Sequence, residues 1–143
     1  APVWMGERAF VDTQVTLLLP CYFDKGIVDL FRRDGFTVLH AESYGGMEQL
    51  VKELNSYIDI AIEWQRGVDC FPLNELFEKY NVRAPLFLSL NWDLKIPEKY
   101  NELGYSGTLD VPFQMADMKN KFYDVLPDNK KIILKQMSFW ESQ

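Results

Sequence analysis

The chain has 143 residues, of which 48% are hydrophobic and 15% aromatic, and it carries a formal net charge of −6. This length and apolar content predict one domain with a real core and argue against a disordered chain. The negative charge argues against non-specific binding to nucleic acid or to an acidic membrane, because such binding needs clustered Lys and Arg. The sequence has no signal peptide and no apolar run long enough to span a membrane, so we expect a cytoplasmic protein.

The chain contains few of the residues that build metal sites and nucleophilic catalytic sites. Cys21 and Cys70 are the two cysteines, their spacing fits neither a disulfide framework nor a zinc site, and His40 is the single histidine. We therefore expect no metal, no cofactor and no Ser-His-Asp triad.

Short apolar runs alternate with helical periodicity along most of the chain. The predicted strands are residues 15–20, 36–41, 57–64, 84–90 and 105–111. An amphipathic helix is predicted after each strand: the second begins after Gly45-Gly46, the fourth is short (97–103), and the last places Met115, Met118, Phe122 and Val125 on one face. This order predicts an α/β domain, a (βα)5 doubly wound parallel sheet with helices on both faces.

Two flanks lie outside this repeat. We predict an N-terminal flank or linker at residues 1–14, a domain at 15–127 and a C-terminal extension at 128–143. The extension contains Ile132, Leu134 and Trp140 and is too apolar to be left in water, so we expect it to pack on the domain or on a partner.

In an open parallel sheet, ligands bind beyond the carboxyl ends of the strands. The residues that reach those ends are Pro20-Cys21, Glu63-Trp64, Ser89-Leu90 and Asp110-Val111-Pro112. An acidic residue followed by tryptophan at the end of a core strand is the most unusual of these endings.

These endings resemble those of the two-component response-regulator receiver family. The resemblance covers about residues 15–126 and rests on "EW" at 63–64, on Ser89, on the segment "ELGYSGTLDVPF" at 102–113, and on the 22 positions between Ser89 and Val111. It implies a flavodoxin-like fold with strand order 2-1-3-4-5. It also implies a role in signalling through a protein partner or an adjacent kinase or output domain.

The residues that carry phosphotransfer in the family are replaced here. The resemblance places the family's metal-binding acidic pair at Pro20 and Cys21, its phosphoacceptor at Glu63 and its lysine at Val111. Ser89 falls at the switch hydroxyl, and Thr108 falls where the family has an aromatic switch residue. Phosphoryl transfer depends on cations that stabilise its negative charge. The resemblance therefore implies a degenerate pseudo-receiver that is not an enzyme.

Glu63 allows two interpretations. It can be a partly solvated carboxylate that caps the loop amides of residues 65–68, or a fixed negative charge that holds the domain in one signalling state.

Two other functions compete with the pseudo-receiver. A flat ligand such as a nucleotide or quinone could stack on a rim formed by Trp64 and Trp92, whereas Tyr100 and Tyr105 lie on an edge that could meet a partner or form a homodimer. A Cys-dependent enzyme could use Cys21 before a helix, but the phosphatase pattern needs Arg six positions later, and residue 27 is Ile.

Overall fold

The computed structural model describes residues 14–20, 25–64, 73–91, 104–111 and 115–137. The strands are β1 (Thr16–Leu18), β2 (Thr37–Leu39), β3 (Ile60–Trp64), β4 (Leu86–Asn91) and β5 (Gly107–Val111). The helices are α1 (Lys25–Arg33), α2 (Tyr44–Leu54), α3 (Leu73–Lys79), α4 (Met115–Val125) and α5 (Asp128–Lys135), with a 3₁₀ turn at Asn55–Tyr57. None of these described helices is both long and apolar enough to cross a membrane.

The five strands form one parallel sheet in the order β2-β1-β3-β4-β5. This order confirms the predicted α/β fold and the strand order 2-1-3-4-5 that the resemblance implied. The observed strands are shorter than the apolar runs from which they were predicted, because the runs include residues that enter or leave the sheet.

Side chains that alternate along the strands build two apolar clusters, one on each face of the sheet. Ile60 and Ile62 contribute to the cluster beneath α1, α4 and α5, which we call the α1/α4/α5 face. Ala61 lies between them and contributes to the cluster beneath α2 and α3, the α2/α3 face. This alternation decides on which face each candidate site residue lies.

The start of α2 differs from its prediction. The helix begins at Tyr44, before the Gly45-Gly46 pair that was expected to precede it. Ser43 is the N-cap, and its Oγ accepts a hydrogen bond from the Gly46 N–H at 3.1 Å. This cap satisfies one of the amides that a first helical turn leaves unpaired, so the glycines are accommodated inside the helix.

The C-terminal helix α5 packs against the α1/α4/α5 face. Leu134 is fully buried there and Met137 is 8% exposed. The predicted helix at 97–103 and the rest of the extension, residues 138–143, lie outside the described residues.

Both edge strands have a backbone carbonyl bound by a cationic side chain of a neighbouring helix. An Arg32 Nη donates to the carbonyl of Val38 in β2 at 3.4 Å, and Lys121 Nζ donates to that of Thr108 in β5 at 2.6 Å. Edge carbonyls are points at which another chain can add a strand. These two bonds therefore make strand addition less favourable at each edge.

Candidate functional site

The sheet brings the predicted site residues of β3, β4 and β5 to its carboxyl end. Glu63 pairs with Leu88, Trp64 with Ser89, and Asn91 with Val111. Pro20 is buried two residues after the end of β1. Cys21, Trp92 and Tyr100 lie outside the described residues, and the side chains of Trp64 and Val111 are also not described.

Glu63 is the buried acidic residue of this site, with 1% of its surface exposed. Its Oε1 accepts the backbone N–H of Asn74, in the first turn of α3, at 3.3 Å. Its Oε2 accepts the hydroxyl of Tyr105 at 2.7 Å. The carboxylate thus lies inside the protein on the α2/α3 face, and the expectation that it is partly solvated is wrong.

Ser89 lies beside Glu63 but presents its side chain to the other face. It is fully buried, and its Oγ donates to the backbone carbonyl of Glu63 at 3.1 Å. Phe87, two residues earlier on the same strand face, belongs to the cluster of the α1/α4/α5 face. The Ser89 hydroxyl therefore bonds the backbone of Glu63, on the face opposite the Glu63 carboxylate. The role of Ser89 as a switch position stays a prediction.

Tyr105 is buried, although the sequence placed it on an exposed edge. It is 7% exposed and belongs to the apolar cluster of the α2/α3 face, together with Leu86 and Leu88. A buried tyrosine needs a partner for its hydroxyl, and here that partner is Glu63. Tyr105 is thus removed from the surface on which a partner was expected.

Lys119 on α4 is a buried cation that the sequence reading missed. It is 1% exposed, and burial lowers the pKa of its ammonium group. The sequence did indicate this burial, because residue 119 lies four positions after Met115 and three before Phe122, on the apolar face of the predicted helix. The helix that carries Lys119 packs on the face of the sheet opposite the Glu63 carboxylate.

Within the described parts of the chain, no group of three His, Cys, Asp or Glu side chains could hold a metal ion. A cavity of about 540 Å³ opens on the α2/α3 face. Asn74, Phe77, Arg83, Leu86 and Ser106 contribute to its lining. Tyr105, the one predicted rim residue whose side chain the structure describes, is not among the described residues that line this cavity.

Comparison with known proteins gives a match in structure without one in sequence. No protein-family model matches the chain, and no curated protein matches it. A response-regulator receiver domain protein from Clostridium thermocellum superposes with a TM-score of 0.64 at 18% identity, covering 83% of this chain and 98% of that one.

Two further solved structures superpose on the chain in the same way. The N-terminal domain of the nisin resistance regulator NsrR, a lantibiotic response regulator, gives a TM-score of 0.65 at 14% identity, covering 80% of this chain and 99% of its own. The Vibrio cholerae chemotaxis protein CheY4 superposes with a TM-score of 0.59 at 17% identity, covering 79% of this chain and 99% of its own. Likeness at such low identity establishes the fold and leaves activity to be argued from the site.

Proposed function

We propose that this chain, which has the fold of response-regulator receiver domains, is a receiver-like signalling module that works by protein–protein contact without being phosphorylated. It regulates an adjacent kinase or output domain, or a separate protein partner, and self-association into a homodimer is a second form of the same contact. It is not an enzyme, and it needs neither a metal nor a cofactor.

The observation that carries the proposal is the engagement of both carboxylate oxygens of Glu63. A phosphoacceptor must present a free oxygen in line with the phosphoryl group, and the reaction depends on that positioning. The Glu63 oxygens accept hydrogen bonds from Tyr105 and Asn74, and the residue is 1% exposed. To reach a phosphodonor, the side chain would have to break both bonds and leave the interior.

The residue types at the strand ends support the same conclusion. Pro20 and Cys21 occupy the places where the resemblance implies magnesium-binding carboxylates, and Val111 occupies the place of the lysine. Mg²⁺ prefers oxygen ligands, which the side chains of proline and cysteine do not offer. Neither the metal charge nor the lysine charge would then offset the negative charge that develops during transfer.

The test is an NMR titration of the wild-type chain with beryllofluoride, a phosphoryl mimic, in the presence of Mg²⁺. We expect the amide resonances of Asn74, Ser89 and Ser106 to stay in place. The variant Glu63→Asp is the matched control, because it restores the shorter carboxylate that phosphoaspartate chemistry uses while leaving the other replacements unchanged. We expect it to remain unresponsive as well.

A magnesium-dependent shift in the wild-type chain would contradict the proposal, because it would show that a phosphoryl mimic reaches the site. Mass spectrometry after incubation with acetyl phosphate and Mg²⁺ gives an independent readout. The wild-type chain should gain no phosphoryl group.

A further inference from the structure

Tyr105 and Glu63 belong to strands that are not neighbours in the sheet. Glu63 lies in β3, Tyr105 lies two residues before the start of β5, and β4 runs between these strands. Glu63 pairs with Leu88 of β4, which in turn pairs with Thr108 of β5. The tyrosine side chain thus reaches back across β4 to the carboxylate, at 2.7 Å.

The same carboxylate also holds the first turn of α3. Its second oxygen accepts the Asn74 N–H, so Glu63 joins β3, α3 and the approach to β5 through one buried side chain. Leaving a buried hydrogen-bonding group without its partner costs free energy. Loss of the tyrosine hydroxyl should therefore affect both the segment that carries Tyr105 and the start of α3.

We infer that the Glu63–Tyr105 hydrogen bond is a permanent latch that couples the start of α3 to the approach to β5. The inference rests on the proposed function and deepens it. A receiver that is not phosphorylated needs another device to keep one arrangement of its contact surface, and the latch supplies a carboxyl group already bonded to an aromatic residue. The aromatic residue comes from position 105, although the resemblance pointed to position 108, which is Thr108.

Hydrogen exchange at two backbone amides tests the latch. The Asn74 N–H donates to Glu63, and the Ser106 N–H donates to the Leu86 carbonyl at 2.7 Å. In Tyr105→Phe, both amides should exchange about tenfold faster than in the wild-type chain, because the coupled segments open more often.

The chain offers a matched control in Tyr80. Its hydroxyl also donates to a carboxylate, Glu48 Oε2, at 2.8 Å, but this pair is only part-buried, between α2 and the residue that follows α3. Tyr80→Phe removes the same group and should leave exchange at Asn74 and Ser106 unchanged.

Two results would overturn the latch. One is faster exchange at Ser106 with Asn74 unchanged in Tyr105→Phe, which would make the tyrosine a local packing residue. The other is an equal effect of Tyr80→Phe on both amides. If Tyr105→Phe does not fold, native-state exchange of the wild-type chain decides: the Asn74 and Ser106 amides should open with the same free energy and the same dependence on urea, and different values would overturn the latch.

The latch and the proposed function fail in different experiments. Exchange is measured without Mg²⁺ or beryllofluoride, so it reports on the coupling alone. A beryllofluoride response in the wild-type chain would reject the phosphorylation-free function even where exchange shows the two segments to be coupled.

Discussion

Lys130 of α5 and Asp59, the residue before β3, form an ion pair with Nζ and Oδ2 3.3 Å apart. The side chains are only 8% and 16% exposed, respectively. Asp59 Oδ2 also accepts the backbone N–H of Thr16 at 2.8 Å, and Lys130 Nζ donates to the carbonyl of Gln14. The pair thus joins the C-terminal helix to the amino ends of β1 and β3, at the end of the sheet opposite the candidate site.

Removal of the lysine from this pair should destabilise the fold. In Lys130→Met the Asp59 carboxylate stays largely buried without its cation, and we expect the free energy of unfolding to fall by about 3 kcal/mol. Urea denaturation followed by circular dichroism measures this loss.

Lys131→Met is the control for that variant. Lys131 faces Asp128 at 4.0 Å, and the Asp128 side chain is fully exposed, so the loss should stay below about 0.5 kcal/mol. Equal losses in the two variants would show that the buried pair contributes no more than a surface pair.

Asp59 should also give the stability a defined pH dependence. Burial raises the pKa of the Asp59 carboxyl above its ordinary value of 3.8, although the Thr16 amide and Lys130 act in the opposite direction. The folded chain then binds a proton at Asp59 more readily than the unfolded chain. The Asp59 contribution to stability therefore increases as pH falls through the raised pKa, and it levels off below 3.8.

Comparison with Asp59→Asn separates the pH dependence due to Asp59 from that of other carboxylates. Glu48 is one of these, because hydrogen bonds to Lys79 and Tyr80 lower its pKa. Urea unfolding between pH 7 and 4 should show the wild-type chain gaining stability relative to the variant on acidification, by at most about 1.4 kcal/mol per pH unit. A relative loss on acidification would contradict the raised pKa.

The fold class could be predicted from the sequence because apolar runs typical of buried strands alternate regularly with the 3.6-residue periodicity of amphipathic helices. Strands such as Ile60–Trp64 appear in the sequence as apolar runs, and helices such as Met115–Val125 appear as apolar residues repeated along one helical face. The alternation of these signals leads to a parallel sheet, since the crossovers must cover its faces. The prediction of strand order came from the resemblance at Glu63-Trp64 and at residues 102–113, and the structure confirms it.

The candidate site was predictable only in part. The sequence identified Glu63 as the residue to examine, but it could not give the direction of the side chain, which depends on the register of β3. The partner Tyr105 is 42 positions away, and its burial depends on how the chain enters β5. The burial of Lys119 was not predicted for a simpler reason: a lysine in a helix is ordinarily expected at the surface, even when its neighbours on the same face are apolar.

Helix α5 should prove to be part of the fold. Leu134 is fully buried against the α1/α4/α5 face, so Leu134→Ala should lower the free energy of unfolding by about 3 kcal/mol. Ile132 on the same helix is 61% exposed, and Ile132→Ala should cost less than about 0.5 kcal/mol. Thermal unfolding of both variants measures the difference, and an unaffected Leu134→Ala would mean that the helix does not contribute to the core.

The two glycines of α2 should respond to alanine in opposite ways. A Cβ at Gly45 would meet no atom within 4 Å, so Gly45→Ala should stabilise the chain by about 0.5 kcal/mol through its higher helix propensity. A Cβ at Gly46 would lie 2.9 Å from the Ala41 Cβ, so Gly46→Ala should destabilise the chain. The melting temperatures of the two variants test this prediction. A stabilising Gly46→Ala would show that Ala41 moves away from the added Cβ without cost.

The energy of the Glu63–Tyr105 bond can be separated from the packing of the two side chains by a double-mutant cycle. The cycle consists of Glu63→Met, Tyr105→Phe and the double variant, and its coupling energy in urea denaturation should be about 2 kcal/mol, because the bond is buried. The equivalent cycle on Glu48 and Tyr80 should give about 0.5 kcal/mol, since that pair is only part-buried. A coupling energy for Glu63 and Tyr105 no larger than that of the Glu48–Tyr80 pair would mean that Tyr105 contributes to the domain by filling space and not by holding the carboxylate.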